Sequence, residues 1–164
     1  MSRIICETQD GKKVYKNVKN PPLRVGAYGI LLKDKSVIVV QSYLPLWEFP
    51  GGGVEPGETL LGTLRREFLE EARINIKPVK FVLERECFYL SPTGKIFHSF
   101  QNFFLVKTID SKIDIKTNAE WILINSLTAK NMKKSALDAL ISLKNNRKGK
   151  RFITATDRTR LYDR

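Results

Sequence analysis

The sequence predicts an α/β fold, a mixed β-sheet with helices on both faces. The first observation is the order of its elements. Apolar periodicity gives β-β-β, a glycine loop and a helix, then β-β-β and a second helix. The second is that each helix-like stretch has one apolar side to bury. Leu60, Leu61, Leu64, Phe68 and Ala72 form it in the first, and Ala136, Leu137, Leu140 and Leu143 in the second. The third is size. The 164 residues, 42% apolar and 28% charged, suffice for one domain over 1–164 with a sizeable core.

Along the chain, Ile4 to Thr8 and Lys13 to Asn17 flank Gln9-Asp10-Gly11 and read as an N-terminal hairpin with an Asp-Gly turn. This extension, residues 1–20, ends at Pro21-Pro22. Leu23 to Lys33 and Ser36 to Gln41 read as paired strands around Lys33-Asp34-Lys35. Tyr43 to Phe49 is an aromatic-rich approach to Pro50-Gly51-Gly52-Gly53, where the backbone can approach a ligand closely. Pro56-Gly57 turns the chain into a helix over Thr59 to Arg73. Lys80 to Leu90 and Lys95 to Lys107 are long strands joined by Ser91-Pro92-Thr93-Gly94. Glu120 to Asn125 is a short strand and Ser135 to Lys144 the second helix. Residues 146–164 read as a basic segment, ordered in part at Phe152 to Ile153.

Bulk properties narrow the partners. The formal net charge is +12, and residues 133 to 164 hold five Lys and five Arg against three Asp. Such a balance favours nucleotides or nucleic acid, although the basic residues form no helical stripe interleaved with aromatics. No apolar run approaches the roughly 20 residues of a membrane span, and the N-terminus lacks an apolar stretch of signal-peptide length. Cys6 and Cys87 make neither a disulfide framework nor a metal-ligand spacing. The expectation is a cytoplasmic protein with reduced thiols and no membrane partner.

The chemistry concentrates in Gly52 to Ile74, GGVEPGETLLGTLRREFLEEARI. On a helix, Glu67, Glu70 and Glu71 fall within an arc of roughly 100°. Like charges at these spacings repel by a few tenths of a kcal/mol per pair, roughly. A hard divalent cation offsets that repulsion, because it takes oxygen ligands. Mg²⁺ is the expected cofactor, with Mn²⁺ as the alternative, and the chemistry suggested is attack of metal-activated water on a phosphoanhydride.

The spacing G-x5-E-x7-R-E-U-x-E-E-x-G-U, with U a bulky apolar residue, is met by Gly52, Glu58, Arg66, Glu67, Phe68, Glu70, Glu71 and Ile74. It resembles the signature of the Nudix hydrolases, and the resemblance covers roughly residues 20 to 145. It implies an α/β/α sandwich. Arg73 stands where the family has glycine. A glycine there would take a left-handed conformation just past the helix end. Arginine costs roughly 1 kcal/mol in that conformation, or the helix ends differently.

The resemblance also implies roles. Glu67 and Glu71 are the principal metal ligands, joined by the carbonyl of Gly51. Glu70 is a further ligand or the base that orients water. Arg66 holds a glutamate in place by a charge-assisted hydrogen bond. Glu58 is a supporting residue, a favourable charge at the helix start. Glu120, beside Trp121, resembles the glutamate of a Glu-Trp pair that reaches the metal in MutT-type members, with Glu84 and Glu86 as competitors. For substrate, the residues themselves offer Arg24, which could meet a phosphate, Glu48, which could bond a base or ribose or else support the loop, and Gly52, where a ligand can approach the backbone. Phe49, Tyr28 or Trp47 would stack a base. The substrate classes implied are nucleoside triphosphates, ADP-ribose or nucleotide sugars, with the 5′ end of RNA or a non-catalytic nucleotide sensor as alternatives. The hairpin is a candidate homodimer contact, as in ADP-ribose pyrophosphatases.

Overall fold

The structure, a computed structural model, describes residues 2–110 and 117–146. The basic segment, including Phe152 and Ile153, lies almost entirely outside these residues. The N-terminal hairpin is β1 (Ser2–Glu7) with β2 (Lys13–Val18), antiparallel around the Asp-Gly turn. β3 (Leu23–Lys33) and β4 (Ser36–Gln41) have the bounds the sequence predicts. Next come β5 (Trp47–Glu48), β6 (Gly51–Gly53), α1 (Leu60–Ala72), β7 (Ile76–Leu90) and β8 (Ile96–Thr108). β9 (Glu120–Leu123) runs into a 3₁₀ turn over Ile124–Ser126, and α2 (Lys134–Asn146) closes the described chain.

The sheet runs β2-β1-β7-β8-β3-β4-β5, with β6 added to β3 and β9 to β4. β3 is parallel to β8 and β1 parallel to β7, and every other pairing is antiparallel. The sheet is therefore mixed, as expected. The hairpin is not a free arm, because β1 continues the main sheet.

Two-residue alternation sorts the strands onto two cores. Ala27, Leu31, Ile38, Val40 and Phe104 pack with Leu64, Phe68 and Ala72 of α1. Tyr28, Ile30, Val37, Val39 and Phe103 pack with Ala136, Ala139, Leu140 and Leu143 of α2. The α1 stripe is narrower than its apolar residues suggest, since Leu61 is exposed. Helix and sheet come close enough that a Cβ on Gly29 would lie 2.4 Å from the Phe68 ring.

α1 starts at Thr59, whose hydroxyl accepts from the Gly62 N–H at 3.0 Å. It ends at Arg73, which takes the left-handed conformation (φ 57°, ψ 35°) and donates its N–H to Leu69 O. The helix thus keeps the end a glycine would give it and bears the strain of a side chain there.

Candidate active site

The glycine stretch is a strand as well as a turn. β6 pairs with Gly26 to Tyr28 of β3, and Gly29 donates to Pro50 O at 2.9 Å. A Cβ on Gly51 would stand 2.3 Å from Ala27 O, and one on Gly52 2.2 Å from Glu67 Oε1. Without side chains here, backbone and helix carboxylates meet directly. The Gly51 N–H donates to Glu71 Oε2 at 2.9 Å.

Arg66 organises the charged side of α1. Its Nε donates to Glu58 Oε1 at 2.7 Å and its Nη2 to Glu58 Oε2 at 3.0 Å, a two-point contact. Its Nη1 donates to Glu67 Oε1 at 3.0 Å and Glu70 Oε2 at 3.2 Å, and Nη2 also reaches Gly53 O at 3.3 Å. Glu58 further accepts from Thr63 Oγ1 at 2.7 Å and the Glu55 N–H. The sequence gives Glu58 only a favourable place at the helix start; the structure makes it the anchor of Arg66. These hydrogen bonds, Arg66 foremost, hold the Glu58 carboxyl down at about 2.

Glu67 and Glu71 behave in the opposite way. On the helical wheel they adjoin Leu64 and Phe68 rather than oppose them, so both are drawn toward the core. Burial raises Glu67, against the pull of Arg66. Burial pushes Glu71 up to about 7, opposed by the Gly51 N–H and reinforced by the charges of Glu67, Glu48 and Glu70. Glu70 is the exposed member. Glu70 and Glu71 border a cleft of about 300 Å³, together with Val40, Gln41, Thr117 and Asn118.

These carboxylates suit a divalent cation. Among the described residues no three acidic, His or Cys side chains already enclose a metal-sized space. Mg²⁺ does not require that, since it keeps several waters and uses one or two carboxylates with substrate oxygens. Two crowded, half-buried glutamates lacking full counter-charge are such a donor set. Glu67 and Glu71 are the residues that would hold it.

Across β6 lies a second cavity of about 310 Å³, on the α2 side. Gln9, Arg24, Tyr28, Glu48, Tyr89, Ser99, Gln101 and Lys133 are among its lining residues. Glu48 accepts from Lys133 Nζ at 2.8 Å. Burial works most strongly against a charged Lys133, yet the Glu48 carboxylate together with the Tyr28 and Tyr89 phenols raises the amine. The Arg24 guanidinium packs over the Phe97 ring and borders Gly53.

The structure thus brings Gly51, Gly52, Glu58, Arg66, Glu67, Glu70 and Glu71 into one cluster, and puts Arg24 and Glu48 in the neighbouring cavity. Two expectations need correction. Phe49 is fully buried beside Phe103 in the α2-side core and offers no ring to a base. Glu120 pairs with Val39, a residue of that same core, while its neighbour Trp121 packs toward α1. The register therefore turns Glu120 to the sheet face away from α1. Glu86 is engaged with His98 at 2.7 Å. The sequence reading missed Gln9, Tyr89, Gln101 and Lys133. Lys133 reaches Glu48 because β5 and the start of α2 exchange backbone bonds, Trp47 N–H to Asn131 O and Lys133 N–H to Trp47 O. No local spacing announces that contact.

The model of the NUDIX domain family matches residues 21–141. This chain belongs to the NUDIX family. An RNA pyrophosphohydrolase of Pelagibacter ubique is 32% identical over 123 residues, 64% of this chain and 78% of that protein. An 8-oxo-dGTP diphosphatase of Buchnera aphidicola is 30% identical over 106 residues, 60% and 76% of the two chains. Among solved structures, a NUDIX hydrolase from Nitrosomonas europaea superposes with TM-score 0.63 at 18% identity, over 76% of this chain and 90% of that one. An ADP-ribose pyrophosphatase from Streptococcus suis gives 0.57 at 15%, over 76% and 92%. The NUDIX α/β/α fold is shared with these neighbours. Within it, the Gly51-Glu71 contact and the Arg66 clamp organise the signature residues of this chain.

Proposed function

We propose that this NUDIX protein is a Mg²⁺-dependent hydrolase that cuts a phosphoanhydride in a nucleoside diphosphate linked to a further group, such as a phosphate, ribose or sugar. The observation that carries this reading is the pair of half-buried carboxylates, Glu67 and Glu71, packed against Gly52 and Gly51 with Arg66 at their side. When bound by these two glutamates and the Gly51 carbonyl, Mg²⁺ would polarise a phosphoryl oxygen and lower the pKa of water.

The chain's own groups do the rest. Arg66, locked by Glu58, fixes the Glu67 carboxylate in one orientation and opposes the upward pull of burial on it. The Gly51 amide does the same for one oxygen of Glu71. Glu70, open to solvent, is assigned to accept a proton from the attacking water. Arg24, between the α2-side cavity and Gly53, is assigned to a phosphate oxygen of the substrate. The cavity with Glu48, Tyr28 and Tyr89 would take the nucleoside.

A second reading, hydrolysis at the 5′ end of RNA, is favoured by the similarity to an RNA pyrophosphohydrolase and by the net charge of +12. The test is release of phosphate or pyrophosphate, with and without Mg²⁺, from nucleoside triphosphates, ADP-ribose, nucleotide sugars and 5′-triphosphorylated RNA. Mg²⁺-dependent release from at least one is expected. Silence throughout, with Mg²⁺ bound, would point to a nucleotide sensor.

A further inference from the structure

The cavity on the α2 side contains two buried polar groups that the proposed reaction does not use. The side-chain oxygens of Gln9 and Gln101 are buried without a hydrogen-bond partner, in residues only 5% exposed. Both residues line this cavity. Native structures leave few such groups unpaired without a reason. A carboxamide also turns end for end at little cost, so each can present a donor and an acceptor side by side.

Gln9 comes from outside the matched family segment. It sits in the turn between β1 and β2, and several contacts fix that turn. The Thr8 N–H donates to Lys12 O at 2.9 Å and the Gly11 N–H to Thr8 O at 3.0 Å. The turn also packs against the start of α2, where a Cβ on Gly11 would meet Lys134 Cβ at 3.0 Å. Below it, Arg85 donates to Glu7 at 2.6 Å and to Asp138 at 3.0 Å, joining β1, β7 and α2. The hairpin therefore closes one wall of the cavity and sets an amide into it.

We infer that Gln9 and Gln101 are specificity residues that read the edge of an adenine base. The inference rests on the proposed nucleotide substrate. Adenine places an amino group beside ring-nitrogen acceptors, and a carboxamide makes two hydrogen bonds to that pattern. Guanine reading favours a cationic side chain at its O6 and N7; of the cavity's two cations, Lys133 is engaged by Glu48 and Arg24 lies over the Phe97 ring beside Gly53, where it is assigned to phosphate. The phenols of Tyr28 and Tyr89 give the base an aromatic wall. A site built to bond an N–H discriminates strongly against an analogue lacking it.

The test is calorimetric titration of the metal-free full chain with AMP, purine riboside 5′-monophosphate, GMP and UMP. AMP is expected to bind at least about tenfold more tightly than the other three, the purine riboside differing only by the missing amino group. In Gln9→Leu and Gln101→Leu that advantage should shrink to about threefold or less. Equal affinities in the unaltered protein, tighter GMP, or full discrimination in both variants would overturn the inference. The unaltered protein alone gives the first two results, so the test stands if a variant does not fold. Parallel turnover of ATP and of a 5′-triphosphorylated RNA beginning with A identifies the source of the adenine, and dependence on the two glutamines is expected in whichever is cut. Adenine selectivity without hydrolysis would sink the proposed reaction and leave the pocket standing; hydrolysis without selectivity would do the reverse.

Discussion

Glu71 accepts a hydrogen bond from Gly51, yet burial pushes its carboxyl from the ordinary 4.5 up to about 7. The folded protein then keeps a proton that the unfolded chain gives up, so metal-free stability falls as pH rises from 4.5 to about 7 and is flat beyond. Glu71→Gln removes that cost. Its metal-free melting temperature at pH 8 should exceed the parent's by several degrees, from on the order of 1–3 kcal/mol, with little difference at pH 4.5. Glu58 has the opposite sign. Held at about 2 by Arg66, it stabilises the fold above 4.5, and that contribution is lost as pH falls toward 2. Glu58→Gln should therefore flatten the acid side of the stability profile, read from thermal melts between pH 2 and 5. Arg73→Gly tests the helix end. Relief of the left-handed strain should add about 1 kcal/mol, or 2–4 °C, with turnover unchanged. The signature makes these positions legible as a set, because its spacing fixes which side chains share a helix face. It does not tell an anchor such as Glu58 from a ligand, since that depends on where Arg66 finds its partners.

At the scale of elements, β3 and β4 are legible to the residue because their polar ends and the Lys33-Asp34-Lys35 turn delimit them. β6 is not, for three glycines carry no alternation to read. β7 begins at Ile76, four residues before the predicted Lys80, and β9 gives way to a 3₁₀ turn at Ile124. The face of Glu120 depends on register with β4, a pairing set across the sheet and invisible in local sequence. Packing of α1 on the sheet predicts the outcome of Gly29→Ala. Its methyl would meet the Phe68 ring at 2.4 Å, and the forced shift should cost about 1–3 kcal/mol in denaturant melts. That shift displaces the helix bearing the carboxylates, so activity should fall with stability.

Over the whole molecule, one sheet separates two jobs. The α1 face gathers carboxylates, while the α2 face encloses a cavity built from β3, β5, β7, β8, the hairpin turn and the start of α2. The two faces are still in electrostatic reach, since Glu48 contributes to the charge felt by Glu71. Fold class and the carboxylate-bearing helix follow from local periodicity and spacing, whereas the cavity joins residues as far apart as Gln9 and Lys133 and no local pattern predicts it. Among the described residues no helix is long and apolar enough to cross a membrane. The charge of +12 bears on RNA. If an RNA end is the substrate, raising NaCl from 50 to 200 mM should lower kcat/KM far more for a 5′-triphosphorylated oligonucleotide than for a free nucleotide.

The claim that Glu67 and Glu71 carry Mg²⁺-dependent hydrolysis is tested most directly by comparing the parent with Glu71→Gln on the best nucleotide of the panel. Rates are measured at saturating Mg²⁺, with folding of both proteins checked by thermal melts. A loss of at least about a thousandfold in kcat, with a melting temperature no lower than the parent's, is the predicted result. A folded Glu71→Gln protein that turns over at the parental rate would contradict it.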